Sequence, residues 1–179
     1  TCGLTVTGAV DCWGNNAAGR ADDKFGPYMQ VSAGRSHTCA LTPIGVADCW
    51  GDNAAGRADD QPGPFRQIAA GWGHTCALTT SGAADCWGLN DKGQATDMPG
   101  PYIQISVEFN QTCALKPDGA VDCWGENASG QADDQPGPFG ILSYFLSLPE
   151  IVSVGEHHSC GLTQKGEIDC WGGGDHGQA

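Results

Sequence analysis

The sequence predicts an all-β protein assembled from short repeated units, and three observations predict it. Ten residues separate the two members of every cysteine pair, at 2/12, 39/49, 76/86, 113/123 and 160/170. The surroundings of those pairs recur every 37 residues, with one last step of 47. Finally, 28 glycines and 10 prolines among 179 residues suit many short strands joined by turns and leave little room for helix.

Phased on the dipeptide that ends in the first cysteine of each pair, the chain reads as one domain of five repeats, 1–37, 38–74, 75–111, 112–158 and 159–179. A period of this size means a solenoid or a propeller. In the second repeat, Thr38-Cys39-Ala40-Leu41-Thr42 and Val46-Ala47-Asp48-Cys49-Trp50 flank the turn Pro43-Ile44-Gly45, which reads as a β-hairpin. If Thr42 pairs with Val46, Cys39 falls opposite Cys49, close enough to bridge. The same register pairs Cys2 with Cys12, Cys76 with Cys86, Cys113 with Cys123 and Cys160 with Cys170. Each bridge closes a loop of about ten residues and contributes roughly 2.5–3 kcal/mol in the chain-entropy picture.

After each hairpin come Trp-Gly, then Asn and Gly where tight turns are needed, then a Pro-Gly-Pro-aromatic stretch leading into one further strand such as Gln67-Ile68-Ala69-Ala70. Strands are expected near 29–33, 37–42, 46–50, 66–70, 75–79, 83–87, 103–107, 112–116, 120–124, 151–154, 159–163 and 167–171.

The series His37-Thr38-Cys39-Ala40-Leu41, Cys49-Trp50-Gly51-Asp52-Asn53 and Gly56-Arg57, preceded by Ala33-Gly34, resembles the regulator of chromosome condensation repeat family in its extracellular, cysteine-containing form. The resemblance covers essentially the whole chain. It implies β-propeller blades of about 37 residues, commonly closed into a seven-bladed ring. Five repeats leave three closures open: a five-bladed ring with one thin blade, part of a larger ring, or an arc finished by a partner.

Composition narrows function. A net charge of −13 with only 8 Lys+Arg repels phosphate backbones and argues against nucleic acid. The longest uncharged apolar stretch, 137–149, is too short and broken to span a bilayer. The cysteines lack zinc-ligand spacing, and five local disulfides persist only in an oxidising compartment, so the chain is read as extracellular or cell-surface. The start at Thr1, with no targeting segment visible, is read as a processed, cloned or truncated end. No nucleophile elbow, zinc-protease motif or phosphate-cradling loop is present, so no catalytic residue, metal or cofactor is expected.

Several residues have competing readings. The recurrent Trp of Cys-Trp-Gly is expected between blades rather than as a ligand-stacking ring. His37, His74 and His158 share one slot with Gln111, which favours a structural role over an axial metal. The acidic turns at Asp59-Asp60 and Asp133-Asp134 lack a calcium loop's ligand spacing and read as solvated carboxylates. Asn110 and Asn127 begin glycosylation sequons, relevant if the source glycosylates asparagine.

Departures from the repeat point to function. Trp72 and Phe109 stand where the first repeat has Arg35, and the fourth repeat carries an insertion with six apolar residues, Ile141, Leu142, Tyr144, Phe145, Leu146 and Leu148. These eight residues are the expected contact site for a protein partner, because insertions in repeat proteins map to the working face and monomers rarely leave such a patch in water. The other reading of the insertion is a plug for the open side of an incomplete ring. The expected function is thus a non-catalytic extracellular protein-binding module, within a larger surface assembly. The alternatives are a carbohydrate-binding lectin, which needs aromatic and polar residues in equivalent exposed slots, and a proteinaceous enzyme inhibitor.

Overall fold

The computed structural model describes residues 1–140 and 151–174. Its strands form five small antiparallel sheets, each packed on the next in chain order. The first is the hairpin β1 (Cys2–Leu4) and β2 (Val10–Cys12). The second comprises β3 (Gln30–Ala33), β4 (His37–Leu41) and β5 (Ala47–Gly51). The third comprises β6 (Phe65–Ala70), β7 (His74–Thr79) and β8 (Ala84–Gly88). The fourth is β9 (Gln104–Glu108), β10 (Gln111–Leu115) and β11 (Val121–Gly125), and the fifth β12 (Val152–Val154), β13 (His158–Leu162) and β14 (Ile168–Gly172). Every expected strand is present within two residues of its expected ends. The only helical pieces among the described residues are single 3-10 turns at Ala17–Gly19 and Ala54–Gly56. Each three-stranded sheet takes its first strand from the end of one repeat and the next two from around the start of the following one.

Hairpin chemistry sets the local register. The Thr42 hydroxyl accepts the Val46 N–H at 3.0 Å, and Gly45 sits at φ +83° with the Phe65 backbone against it, a conformation that strains any side chain. Leu41 then faces Ala47 and Cys39 faces Cys49. All five expected disulfides are present, each with Cα atoms 4.1 Å apart.

The core lies in the seams between blades. Leu41 and the Cys39–Cys49 pair of the second blade meet Phe65, Ile68, Ala77 and Trp87 of the third. Equivalent clusters hold the third blade to the fourth and the fourth to the fifth, with Trp124 and Trp171 in the matching places. Trp50 is buried in the first seam. These four tryptophans therefore pack between blades, as expected, while Trp13 is exposed.

Polar side chains also cross the seams. The free edge of each first strand would expose unpaired peptide groups. Gln30 covers one such edge like a substitute peptide, accepting from Ile68 N at 2.9 Å and donating to Ile68 O at 3.0 Å. Gln67 does the same for Ile105, and Gln104 accepts from Ile151 N.

Candidate functional site

Three candidate regions can be compared: the histidine slot, the central groove and the row of hairpin tips. The Thr75 hydroxyl donates to Arg57 O at 2.8 Å, so it accepts from His37 Nε2 at 2.7 Å, and this fixes the His37 tautomer. His74 makes the same contact to Thr112 at 2.8 Å, and the Gln111 amide reaches Ser159 Oγ at 3.0 Å. Glutamine stands in for histidine here by placing an N–H donor at the same reach, its second N–H serving the Gly155 carbonyl. Both rings are fully buried, with no hydrogen-bond partner at Nδ1 among the described residues. Burial, with the Arg57 charge adding to it and Asp52 opposing, lowers the His37 pKa to about 4. Burial, and the neighbouring His37, lower that of His74 to about 3. These are neutral inter-blade ties.

The first strands enclose a groove of about 560 Å³. Its principal amides, Gln30 and Gln67, are committed to neighbouring backbone, and Arg66 is bound to the carbonyls of Thr79, Tyr102 and Ile103. The acidic turns are likewise occupied. Asp59 accepts from Asn53 Nδ2 at 2.7 Å and Asp60 from Cys49 N at 2.8 Å. Asp133 and Asp134 repeat this with Asn127 and Cys123. Among the described residues no group of three His, Cys, Asp or Glu side chains is placed to hold a metal ion. The sequon asparagines carry bonds of their own: Asn127 clasps its turn, and Asn110 Nδ2 donates to Glu126 at 2.9 Å.

The row of tips lies where the first two strands of each blade turn back. Gly34, Gly71 and Gly155 donate to the carbonyls of His37, His74 and His158, and Glu108 pairs with Gln111, leaving two-residue tips at 35–36, 72–73, 109–110 and 156–157. Each tip is braced from behind: the carbonyls of Ser36, Gly73, Asn110 and His157 accept N–H groups from Asp52, Leu89, Glu126 and Gly173. Adjacent tips also touch through Arg35 N, which donates to Gly71 O at 3.2 Å. A Cβ on Gly34 would collide with that same carbonyl, so the approach requires glycine.

On this braced edge the side chains form a continuous row. The Arg35 guanidinium lies 5.4 Å from the Trp72 ring centre. Trp72 stacks on Phe109 at 5.2 Å with 29° between planes, and Phe109 meets His157 edge-on at 6.2 Å. Trp72 and Phe109 are half-buried; Arg35 and His157 are exposed. Of the four leading tip residues, Phe109 alone has a left-handed backbone, φ 41°. A bulky residue is disfavoured there by about 1–2 kcal/mol. The structure thus brings together Trp72 and Phe109, which the sequence singled out, and adds Arg35 and His157. Arg35 shares their slot and His157 lies one residue beyond it, so comparing slots across all repeats would have found both. The expected contacts at 141–148 lie outside the described residues.

A family model, the regulator of chromosome condensation (RCC1) repeat, matches residues 30–57, 65–94, 103–131 and 151–178. The chain belongs to the RCC1 repeat family. Each RCC1 match begins at or just before a first strand and runs past the third, so it coincides with one of blades two to five. No curated protein sequence matches the chain. Among solved structures, the RCC1-type chain is similar to the ectodomain of the Physcomitrella patens receptor kinase CR4, with TM-score 0.75 and 26% identity over 98% of this chain and 50% of that one. The CRINKLY WD40 ectodomain of the Arabidopsis thaliana receptor kinase ACR4 gives TM-score 0.73 and 24% identity over 96% of this chain. Yeast RCC1 (Prp20), solved with Kap60, gives 0.69 and 20% over 97%. The chain spans 64% of the ACR4 structure, 50% of the CR4 structure and 54% of Prp20. The fold is a β-propeller arrangement of RCC1 repeats.

Proposed function

We propose that this chain is a non-catalytic, extracellular protein-binding module that engages its partner through the row Arg35–Trp72–Phe109–His157. The observation that carries the reading is Phe109 in a left-handed turn. Phe109 belongs to none of the hydrophobic core clusters, and the leading residues of the other tips have ordinary backbone, so the strain serves the row of rings rather than the core. Aromatic side chains on a rigid edge also suit the anchors that dominate protein interfaces.

Protein is favoured over carbohydrate by the way the rings are used. A sugar stacks on an open ring face, but Trp72 has Arg35 against it and Phe109 stacked on it. The row as a whole is a half-buried apolar ridge, which fits an apolar side chain. Five disulfides and the likeness to a receptor ectodomain support an extracellular setting.

The test is parallel affinity capture from the extracellular protein fraction of the source, using wild type and the double variant Trp72→Ala/Phe109→Ala, with a glycan array alongside. Proteins retained by wild type and lost by the variant support the reading. Equal retention by both, or glycan binding that depends on these two rings, refutes it.

A further inference from the structure

We infer that the partner meets this row with a basic segment: an apolar side chain lies along Trp72 and Phe109, and a lysine or arginine beside it pairs with Glu108 and Glu126. The inference rests on the protein-binding reading above and specifies the chemistry of that partner.

The fourth tip departs from the repeat in its charge as well as in its ring. Glu108 stands where the second, third and fifth blades have Gly34, Gly71 and Gly155. Glu126, whose N–H braces the tip by donating to Asn110 O, corresponds to Asp52 of the second blade. Asp52 has a cation of its own, Arg57 at 3.7 Å, supplied by the same loop. In the loop after Glu126 the residue that matches Arg57 is Gln131, which is neutral and buried and accepts from Ser129 N. Both neighbouring tips, at 72–73 and 156–157, are in place, and neither brings a lysine or arginine. Among the described residues the Lys and Arg ion pairs are Lys24–Asp48, Arg57–Asp52 and Lys116–Asp122, so neither glutamate is neutralised within them.

Both carboxylates are held at the tip before a partner arrives. Glu108 Oε1 accepts from Phe109 N at 3.2 Å and Glu126 Oε2 from Asn110 Nδ2 at 2.9 Å, one carboxylate on each residue of the tip. Each bond engages one oxygen and leaves the other for a cation. The apolar surface lies directly alongside, where Phe109 stacks on Trp72 at 5.2 Å with both rings half-buried. A lysine or arginine meets both requirements, since its alkyl stem covers apolar surface while its charged head reaches a carboxylate. Charge-assisted bonds of this kind are about twice as strong as neutral ones. Arg35, beyond Trp72, places the partner's cation at the Phe109 end of the row. The net charge of −13 adds a longer-range attraction for a basic segment.

The experiment is display selection of random linear peptides on the intact, disulfide-bonded protein, with affinities of the enriched peptides measured on three variants. Trp72→Ala/Phe109→Ala tests the ridge. Glu108→Gln/Glu126→Gln removes both charges while the amide oxygens keep the bonds to Phe109 N and Asn110 Nδ2. Asp118→Asn/Glu167→Gln removes two exposed charges beside the hairpin turns at the other end of the blades and controls for overall charge. Tm is recorded for each, and each peptide is also remade with its Lys or Arg replaced by Gln, which leaves the protein untouched. Enriched peptides should carry Lys or Arg within about three residues of an apolar anchor, at about 3.3 Å of extended chain per residue. Their affinity should fall about tenfold or more on Glu108→Gln/Glu126→Gln and on removal of the peptide's own cation. The loss should shrink in high salt, and the control variant should stay within about threefold of wild type. Peptides that need Trp72 and Phe109 but keep their affinity on Glu108→Gln/Glu126→Gln, or weaken equally on the control variant, overturn the basic partner and leave the ridge standing. If no enriched peptide depends on Trp72 and Phe109, the ridge reading falls and the basic partner with it.

Discussion

Replacing His37 and His74 together by glutamine should remove most of an acid-sensitive step in this protein's stability. Both imidazoles are buried, and each ties one blade to the next through a threonine hydroxyl. In the unfolded chain they titrate near 6.5, whereas in the fold burial lowers them to about 4 and about 3. The unfolded state therefore binds the extra protons as pH falls below 6.5, and folding stability declines with it. The decline levels off below about 4 for His37 and about 3 for His74. Between pH 6.5 and pH 4 each histidine costs about 3 kcal/mol, at about 1.4 kcal/mol per pH unit. Gln111 already fills the same slot, reaching Ser159 Oγ with a group that does not titrate, so the double variant keeps the tie at neutral pH. Guanidinium unfolding followed by tryptophan fluorescence, with disulfides intact, at pH 7, 5.5 and 4 provides the measurement. The variant should match wild type within about 2 kcal/mol at pH 7 and exceed it at pH 4, by up to about 6 kcal/mol. Parallel pH dependences for the two proteins would refute the reasoning.

Replacing both Cys76 and Cys86 by alanine should lower stability by roughly 2.5–3 kcal/mol through loop entropy, and non-reducing peptide mapping of the wild type should find no bridge between repeats. Phe109→Gly should leave stability within about 1 kcal/mol, because relief of the left-handed backbone offsets loss of the Trp72 stack, yet abolish partner capture; destabilisation of about 3 kcal/mol or more, as for a core aromatic, would assign the ring to packing. Deleting residues 141–148, with their six apolar side chains, should reduce partner capture while leaving Tm unchanged, and unfolding with capture retained would assign the segment to the core.

What the sequence determined by itself is local. Each cysteine pair spans ten residues, each hairpin closes over a Thr-x-x-Gly or Lys-x-x-Gly turn, and such information survives in any window that contains it. The repeating period left solenoid and propeller open, and the family resemblance that the repeated Cys-Trp-Gly series carries implied the propeller. What only the tertiary structure decided crosses the seams. His37 meets Thr75, Gln30 meets Ile68, and Arg35 meets Trp72, at separations of 37 or 38 residues. Whether residues one period apart touch depends on the angle and distance at which blades pack, and the seam of cysteine, leucine and tryptophan sets that angle. Trp72 and Phe109 were visible as departures from the repeat. Their union with Arg35 and His157 was not, because a stack needs two tips side by side, and only blade-on-blade packing puts them there.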